Sequence, residues 1–146
     1  MEVRETGKRT AQLLEQLTAL WEKSVRATHL FLSDDEIEVI KGYVPQGLCS
    51  VSRLVVADKN GEVVAFMGIN GRKVEMLFVD SGHLGKGIGK QLLLYGIEKY
   101  DVCEVTVNEQ NPGAAGFYEH MGFKVYKRSD HDEQGGPYPI LYMRLG

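Results

Sequence analysis

Apolar residues between positions 10 and about 29 recur at spacings of three and four: Leu13, Leu14, Leu17, Leu20, Trp21 and Val25. That period predicts an amphipathic helix that buries one stripe. Ser33-Asp34-Asp35-Glu36 reads as a capping box, with Ser33 accepting from the first turn, Glu36 reaching back, and Ile37 and Ile40 supplying an apolar face. A short second helix closing near Gly42 is predicted. The period then changes, and residues 50–58, 62–69 and 73–79 read as strands separated by Asn60-Gly61 and Asn70-Gly71. Asn-Gly pairs take positive φ at low cost and favour two-residue hairpin turns, so a three-stranded antiparallel meander is predicted. Past a glycine-rich loop, Ile88, Leu92, Leu93 and Ile97 mark a third helix, and residues 102–107 alternate as a strand. Pro112 opens a helix running to about Met121, which Gly122 is placed to end. Residues 123–126 and 140–145 read as two more strands, joined by a polar loop over 129–139. This order predicts an α/β (α+β) fold, a sheet with helices packed on its faces.

Length and composition narrow the function classes. The 146 residues suit one domain spanning 1–146, and 43% hydrophobic with 25% charged residues is ordinary for a globular protein. No apolar run approaches the roughly 18 to 20 residues that span a bilayer, and the first ten residues are charged rather than a secretory signal. A cytoplasmic protein without a membrane partner is expected. The net charge of -3 and a pI near 5.8 disfavour a nucleic-acid footprint. Cys49 and Cys103 lack metal-ligand spacing and are expected to stay reduced as small hydrophobes, Cys103 within the strand over 102–107. His120 and His131 have no partner spacing either, and no metal site is expected.

The most informative stretch runs from Leu77 through Leu93, where a strand leads into Gly82, Gly85, Gly87 and Gly89 and then directly into a helix. Glycines let backbone N–H groups turn into one concavity at a helix N-terminus, where the macrodipole favours an anion such as a pyrophosphate. Lys86 and Lys90 either add positive charge there or are simply solvated. Two nucleotide motifs fail on the letters. Gly89-Lys90 is followed by Gln91 rather than Ser or Thr, against a P-loop, and Gly85-x-Gly87 meets Lys90 where a dinucleotide fingerprint needs glycine.

Leu84-Gly85-Lys86-Gly87-Ile88-Gly89 resembles the acetyl-CoA loop of the GNAT superfamily, Arg/Gln-x-x-Gly-x-Gly/Ala, apart from its first residue. The segment from Asn111 through Tyr118 to Gly122-Phe123 resembles that family's Asn-x-x-Ala…Phe/Leu-Tyr-x-x-x-Gly-Phe helix at the right distance downstream. Residues 24–32 and Gly136-Pro137-Tyr138-Pro139 are similar to a bacterial, YjaB-like subgroup. The resemblance implies a mixed, mostly antiparallel sheet of six to seven strands, helices on both faces, and an opening between the fourth and fifth strands. It implies an N-acetyltransferase that moves acetyl from acetyl-CoA to a primary amine, a protein lysine or a small molecule, by direct attack in a ternary complex. Leu84 departs from the family pattern and removes a polar side chain from the loop, which keeps a non-catalytic acyl-CoA sensor as the alternative.

By the same resemblance the cofactor lies along Leu77, Phe78 and Val79 and over Leu84, Gly85, Lys86, Gly87, Ile88, Gly89 and Lys90, with Asn111 either touching it or only capping a helix. The Val79 N–H is placed to stabilise an oxyanion, and Tyr118 to protonate the departing thiolate. The proton acceptor is left between Glu75, which shares strand parity with Leu77 and Val79, and His29, each with a plain structural alternative. His83 is expected to face solvent. Asp34, Asp35 and Glu36 suit either a cationic acceptor or the first turn of a helix. The assembly is expected to be a monomer or a homodimer formed through an edge strand or the late hairpin.

Overall fold

Three of the four helices begin where the sequence supplies a cap. In the computed structural model, which describes residues 1–146, the Thr10 side chain accepts from the Leu13 N–H at the start of α1 (Ala11–Thr28). Ser33 and Glu36 complete the capping box of α2 (Asp34–Ser50), and Asn111 caps α4 (Pro112–His120) with Pro112 in its first turn. The exception is α3 (Ile88–Tyr100), whose N-cap is Gly87 and has no side-chain bond.

Seven strands, β1 (Glu2–Glu5), β2 (Arg53–Lys59), β3 (Glu62–Asn70), β4 (Lys73–Val79), β5 (Glu104–Asn108), β6 (Phe123–Ser129) and β7 (Ile140–Leu145), form one sheet in the order β1-β2-β3-β4-β5-β7-β6. Every pairing is antiparallel except β4 with β5. The alternation of strand side chains divides the core in two. Leu54, Val56 and Phe66 pack with Leu17, Trp21, Val25 and Leu48 of α1 and α2 on one face. Val55, Ala57 and Met67 pack with Leu92 and Leu93 of α3 and Tyr118 of α4 on the other. The mixed, mostly antiparallel sheet with helices on both faces is the architecture expected from the sequence. No helix is long and apolar enough to cross a membrane.

The sheet parts where the site lies. β4 pairs with β5 only at Lys73↔Glu104 and Val74↔Val105, after which the two strands diverge. A bulge helps to turn β4 away: opposite β3, Gly68 faces Met76 and Ile69 faces Val74, which leaves Glu75 as the extra residue. The bulge shifts the alternation, so Val74 and then Leu77 and Val79 point to the α3 side while Met76 and Phe78 point to the α1 side. Glu75 therefore does not share a regular strand parity with Leu77 and Val79. It is exposed, and its carboxylate pairs with Lys73 at 3.7 Å.

Three other details differ from the sequence expectations. β1 lies in a segment too polar to signal a strand: only Val3 packs on the core, and the pairing with β2 is supported by Arg4–Asp58 at 2.8 Å and Arg53–Glu5 at 3.1 Å. The second hairpin turns at Gly71-Arg72, one residue later than Asn70-Gly71, because Asn70 still pairs with Lys73 and only Gly71 takes positive φ (60°). At Asn60-Gly61 both residues take positive φ, as expected. Most consequentially, α2 runs through Gly42 and Pro45 to Ser50 instead of closing near Gly42. Tertiary packing overrides local propensity there, because the second half buries Val44 and Leu48 against the sheet. The Arg9 guanidinium holds the far end, its Nη1 donating to the carbonyls of Leu48 (3.0 Å), Cys49 (3.0 Å) and Val51 (2.8 Å).

Arg9 thus substitutes for a missing C-cap. Arg9→Ala is expected to cost about 2 kcal/mol, the worth of charge-assisted bonds to otherwise orphaned carbonyls. Urea denaturation measures the loss, and faster amide exchange over the last turn of α2 locates it.

Candidate active site

The parting of β4 and β5 exposes backbone as well as side chains. Asp80 N–H donates to Val64 O at 2.8 Å, and the register continues this pair to Phe78↔Phe66. In an antiparallel ladder the alternate residues turn their peptide groups the other way. The N–H and C=O groups of Leu77 and Val79 consequently face the gap toward β5, which offers no ladder partner beyond Val105. A cleft of about 760 Å³ opens at this place, and a smaller hollow of about 120 Å³ adjoins it between the diverging strands. The two share His29, Leu77, Phe78, Asn111, Ala114 and Tyr118. The larger volume falls in the ordinary range for small-molecule sites, about 300 to 1,000 Å³.

One end of the cleft is built for an anion. Gly85 and Gly87 both have φ of 77°, a left-handed conformation that ordinary side chains resist, and this turns the chain into α3. The first intrahelical bond of that turn runs from Gln91 N–H to Gly87 O, so the N–H groups of Ile88, Gly89 and Lys90 have no partner within the helix. Residues 87–90 line the cleft, as do Leu84 and Gly85. Uncapped donors at the positive end of a 13-residue helix fit a pyrophosphate. Lys86 is exposed and stands outside the lining, so of the two loop lysines only Lys90 borders the cleft. Leu84 is 50% exposed there, an apolar group at the rim.

At the other end stand two groups able to handle protons. Tyr118 is 5% exposed, held edge-on by Phe117 and Phe123 with ring centroids 5.1 and 5.6 Å away. Burial pushes its phenol above the ordinary value, so it keeps its proton. His29 closes α1, its ring 6.4 Å from that of Phe78 and 5.5 Å from that of Phe31. Burial lowers its pKa from 6.5 and favours the neutral imidazole. Glu75 lines only the smaller hollow. Asn111 caps α4, its Oδ1 accepting from the Ala114 N–H at 3.3 Å, and the residue also borders both cavities.

Several lining residues were not foreseen. His83 borders the cleft rather than facing open solvent, its Nδ1 2.7 Å from Asp80 Oδ2. Desolvation alone would raise the Asp80 carboxyl, but bonds from His83 and from Lys23, 3.1 Å away, outweigh it and hold the carboxyl below its ordinary value. This knot ties α1 to the loop after β4. Ser24 and Thr28 also line the cleft from α1. A Ser-x-x-x-Thr spacing in a helix is the signal that would have drawn attention to them, because it permits a hydroxyl to back-bond to the carbonyl four residues earlier. Asp34 and Glu36, by contrast, are engaged within the fold, Asp34 by Arg26 at 2.6 Å and Glu36 by the Ser33 N–H at 2.9 Å.

Comparison with known proteins places this geometry. Residues 19–138 match the sequence family described as an acetyltransferase (GNAT) domain. The chain is 40% identical over 127 residues to peptidyl-lysine N-acetyltransferase YjaB of Salmonella typhimurium (strain LT2), covering 87% of this chain and 88% of that protein. Identity to the YjaB of Escherichia coli (strain K12) is 37% over 127 residues, covering 87% of this chain and 86% of that protein. The solution structure of apo-form YjaB from Escherichia coli superposes with a TM-score of 0.87 at 33% identity, covering 99% of this chain and 98% of the other.

The anion end yields a paired prediction. Gly87→Ala forces a Cβ onto a backbone at φ 77° with no atom within 4 Å to blame, so the cost of about 1 to 2 kcal/mol is conformational. Gly89→Ala would meet Val79 and Phe117 at 3.6 and 3.7 Å, ordinary contact, and should change stability by less than about 0.5 kcal/mol. Denaturation of the two variants side by side checks the contrast, and Gly87→Ala should also weaken acetyl-CoA binding by calorimetry.

Proposed function

The chain belongs to the GNAT acetyltransferase family, and we propose that it acetylates lysine side chains of proteins, with Tyr118 as general acid and His29 as general base. It is an N-acetyltransferase that uses acetyl-CoA as acyl donor and an amine as acceptor. The observation that carries the residue roles is the convergence of three groups on one cleft: the gap-facing amide of Val79, the buried phenol of Tyr118 and the half-buried imidazole of His29. Lysine as the acceptor rests on the relatives, which are peptidyl-lysine N-acetyltransferases at 40% and 37% identity over most of the chain. A cytoplasmic setting suits such a substrate.

When bound, acetyl-CoA supplies the thioester acetyl group and departs as a thiol. The uncapped N-terminus of α3 and the glycine turn hold its pyrophosphate through backbone donors, with Lys90 adding charge, and this compensates for the apolar Leu84. Leu77 and Val79 offer peptide groups to its amide-bearing arm, as a missing strand would. The Val79 N–H donates to the carbonyl oxygen as that oxygen gains charge. His29 takes a proton from the acceptor nitrogen, and Tyr118 gives or shares its hydroxyl proton with the departing sulfur. Most of the acceleration comes from positioning and from carbonyl polarisation. Glu75, exposed and paired with Lys73, is less suited to the base role and sits where a cationic amine would arrive.

Tyr118→Phe is expected to lower kcat about a hundredfold or more while acetyl-CoA affinity stays within about twofold, since only the hydroxyl is removed and the ring remains. A thiol-release assay with a lysine peptide measures the first quantity and calorimetry the second. An equal loss of both would turn Tyr118 into a wall of the cleft. Tight binding without turnover on any amine would return the sensor reading.

The pH dependence has a definite sign. A depressed pKa means that the folded protein keeps His29 neutral where the unfolded chain protonates it, so this group's contribution to stability is full above about pH 6.5 and declines as pH falls through that value toward the folded one. Activity follows the same group. The acid limb of kcat/KM should lie below pH 6.5, and His29→Gln should abolish that limb along with most of the rate.

A further inference from the structure

At the end of α1, Thr28 Oγ1 lies 2.9 Å from the carbonyl oxygen of Ser24 and 2.8 Å from Nδ1 of His29. A hydroxyl has one proton to give, and a carbonyl oxygen has none. The Ser24 carbonyl can only accept, so the hydroxyl proton goes there, and the second contact must be filled by a hydrogen on Nδ1 of His29. We infer that Thr28 is a positioning residue that locks His29 in the tautomer protonated at Nδ1, leaving the Nε2 lone pair as the base that faces the acceptor amine. The inference rests on the base role given to His29 above and adds which nitrogen acts and what sets it.

The surroundings leave little room for another arrangement. Ser24, Thr28 and His29 all line the cleft, and Ser24 is 5% exposed, so its carbonyl belongs to a rigid, buried turn. The backbone of His29 is itself fixed, its N–H bonded to Val25 O at 2.7 Å. Phe31 and Phe78 flank the ring without offering a hydrogen-bond partner, so no other neighbour competes for Nδ1. In the transfer step the acceptor nitrogen forms its bond to the acetyl carbon as the carbon–sulfur bond breaks. The nitrogen's surplus proton passes to Nε2 and later to solvent, while sulfur takes up a proton from Tyr118, whose phenol regains one from solvent before the next turnover. The hydrogen on Nδ1 stays there throughout, donated to Thr28 Oγ1, so the contact orients the ring without carrying charge away. The arrangement resembles the orienting member of a catalytic triad, with a neutral hydroxyl in place of a carboxylate.

Nitrogen-15 NMR of the full chain, with the His29 signals assigned through His29→Gln, reads the tautomer directly above the titration of the ring. The expected result is a protonated Nδ1 and a bare Nε2. Thr28→Val keeps the side-chain shape but removes the hydroxyl; it should mix the tautomers and lower kcat/KM about tenfold or more, with acetyl-CoA affinity within about twofold. Thr28→Ser should restore both signals and rate. A wild-type His29 protonated at Nε2 overturns the proposal, as does a Thr28→Val protein with unchanged spectrum and rate. If Thr28→Val fails to fold, the wild-type spectrum and Thr28→Ser still decide. Should the tautomer be as expected while His29→Gln retains full turnover, the lock stands and the base role of His29 falls.

Discussion

β4 and β5 exchange ladder bonds only at their first two residues, and beyond Val74 the peptide groups of Leu77 and Val79 face a gap. Strand peptide groups without a ladder neighbour are available to an extended, amide-bearing group lying between the strands, which is the role proposed for this gap. The rest of the site follows from that gap. The bulge at Glu75 turns β4 aside, the chain then runs through Gly85 and Gly87 into α3, and the uncapped end of that helix lies at the far end of the same cleft. The gap-facing peptide groups and the uncapped helix end, the two surfaces proposed to hold the cofactor, are therefore set by one backbone path. The weak point of the sheet is also its binding surface.

A sheet cut almost through must be held together from its faces. The core is split accordingly, with α1 and α2 packed on Leu54, Val56 and Phe66, and α3 and α4 on Val55, Ala57 and Met67. α4 packs beside the break on its side, against β5 and β6, carrying Tyr118 into the core between Phe117 and Phe123. On the other side the end of α1 reaches the mouth of the gap, and the Lys23–Asp80–His83 knot fastens it to the loop that leaves β4. Thus the residues that brace the opening are close neighbours in sequence of those proposed to act in it: Lys23 and Ser24 are adjacent, and so are Phe117 and Tyr118. A change in either set is expected to be felt in both.

Much of this was legible from the letters. Helical periods, the Ser33–Glu36 capping box, the Asn60-Gly61 hairpin and the two ordered motifs around Gly87 and Tyr118 are local signals, and local signals survive into the fold. What escaped the reading depends on contacts between distant segments. β1 forms because a charged tetrapeptide finds complementary charges on β2 and its neighbours, and its sequence carries one core residue only. α2 continues past Pro45 because Val44 and Leu48 bury against the sheet and Arg9, about forty positions before them in the chain, holds its last carbonyls. The parity argument for Glu75 failed for a related reason: a bulge is created by pairing with β3 and leaves no mark on β4 alone. The Ser24–Thr28–His29 chain has a local signature in its Ser-x-x-x-Thr spacing, but a hydroxyl near a helix end usually bonds only its own backbone, so the spacing alone does not single it out.

Direct transfer from a thioester to an amine needs an acid that holds its proton and a base that lacks one, at the same pH and within one small space. Two exposed groups would meet that need poorly at neutral pH, where a solvated imidazole is partly protonated. Here burial acts on both in the useful direction. Desolvation penalises whichever form is charged, so it drives the phenol of Tyr118 up and keeps it a donor, and it drives the imidazole of His29 down and keeps it an acceptor. No charged neighbour is required for either effect. The requirement falls instead on geometry, because a neutral imidazole has two nitrogens and only the one without hydrogen can serve. Partial burial favours the uncharged form of His29, and the hydroxyl of Thr28 sets which nitrogen is left bare.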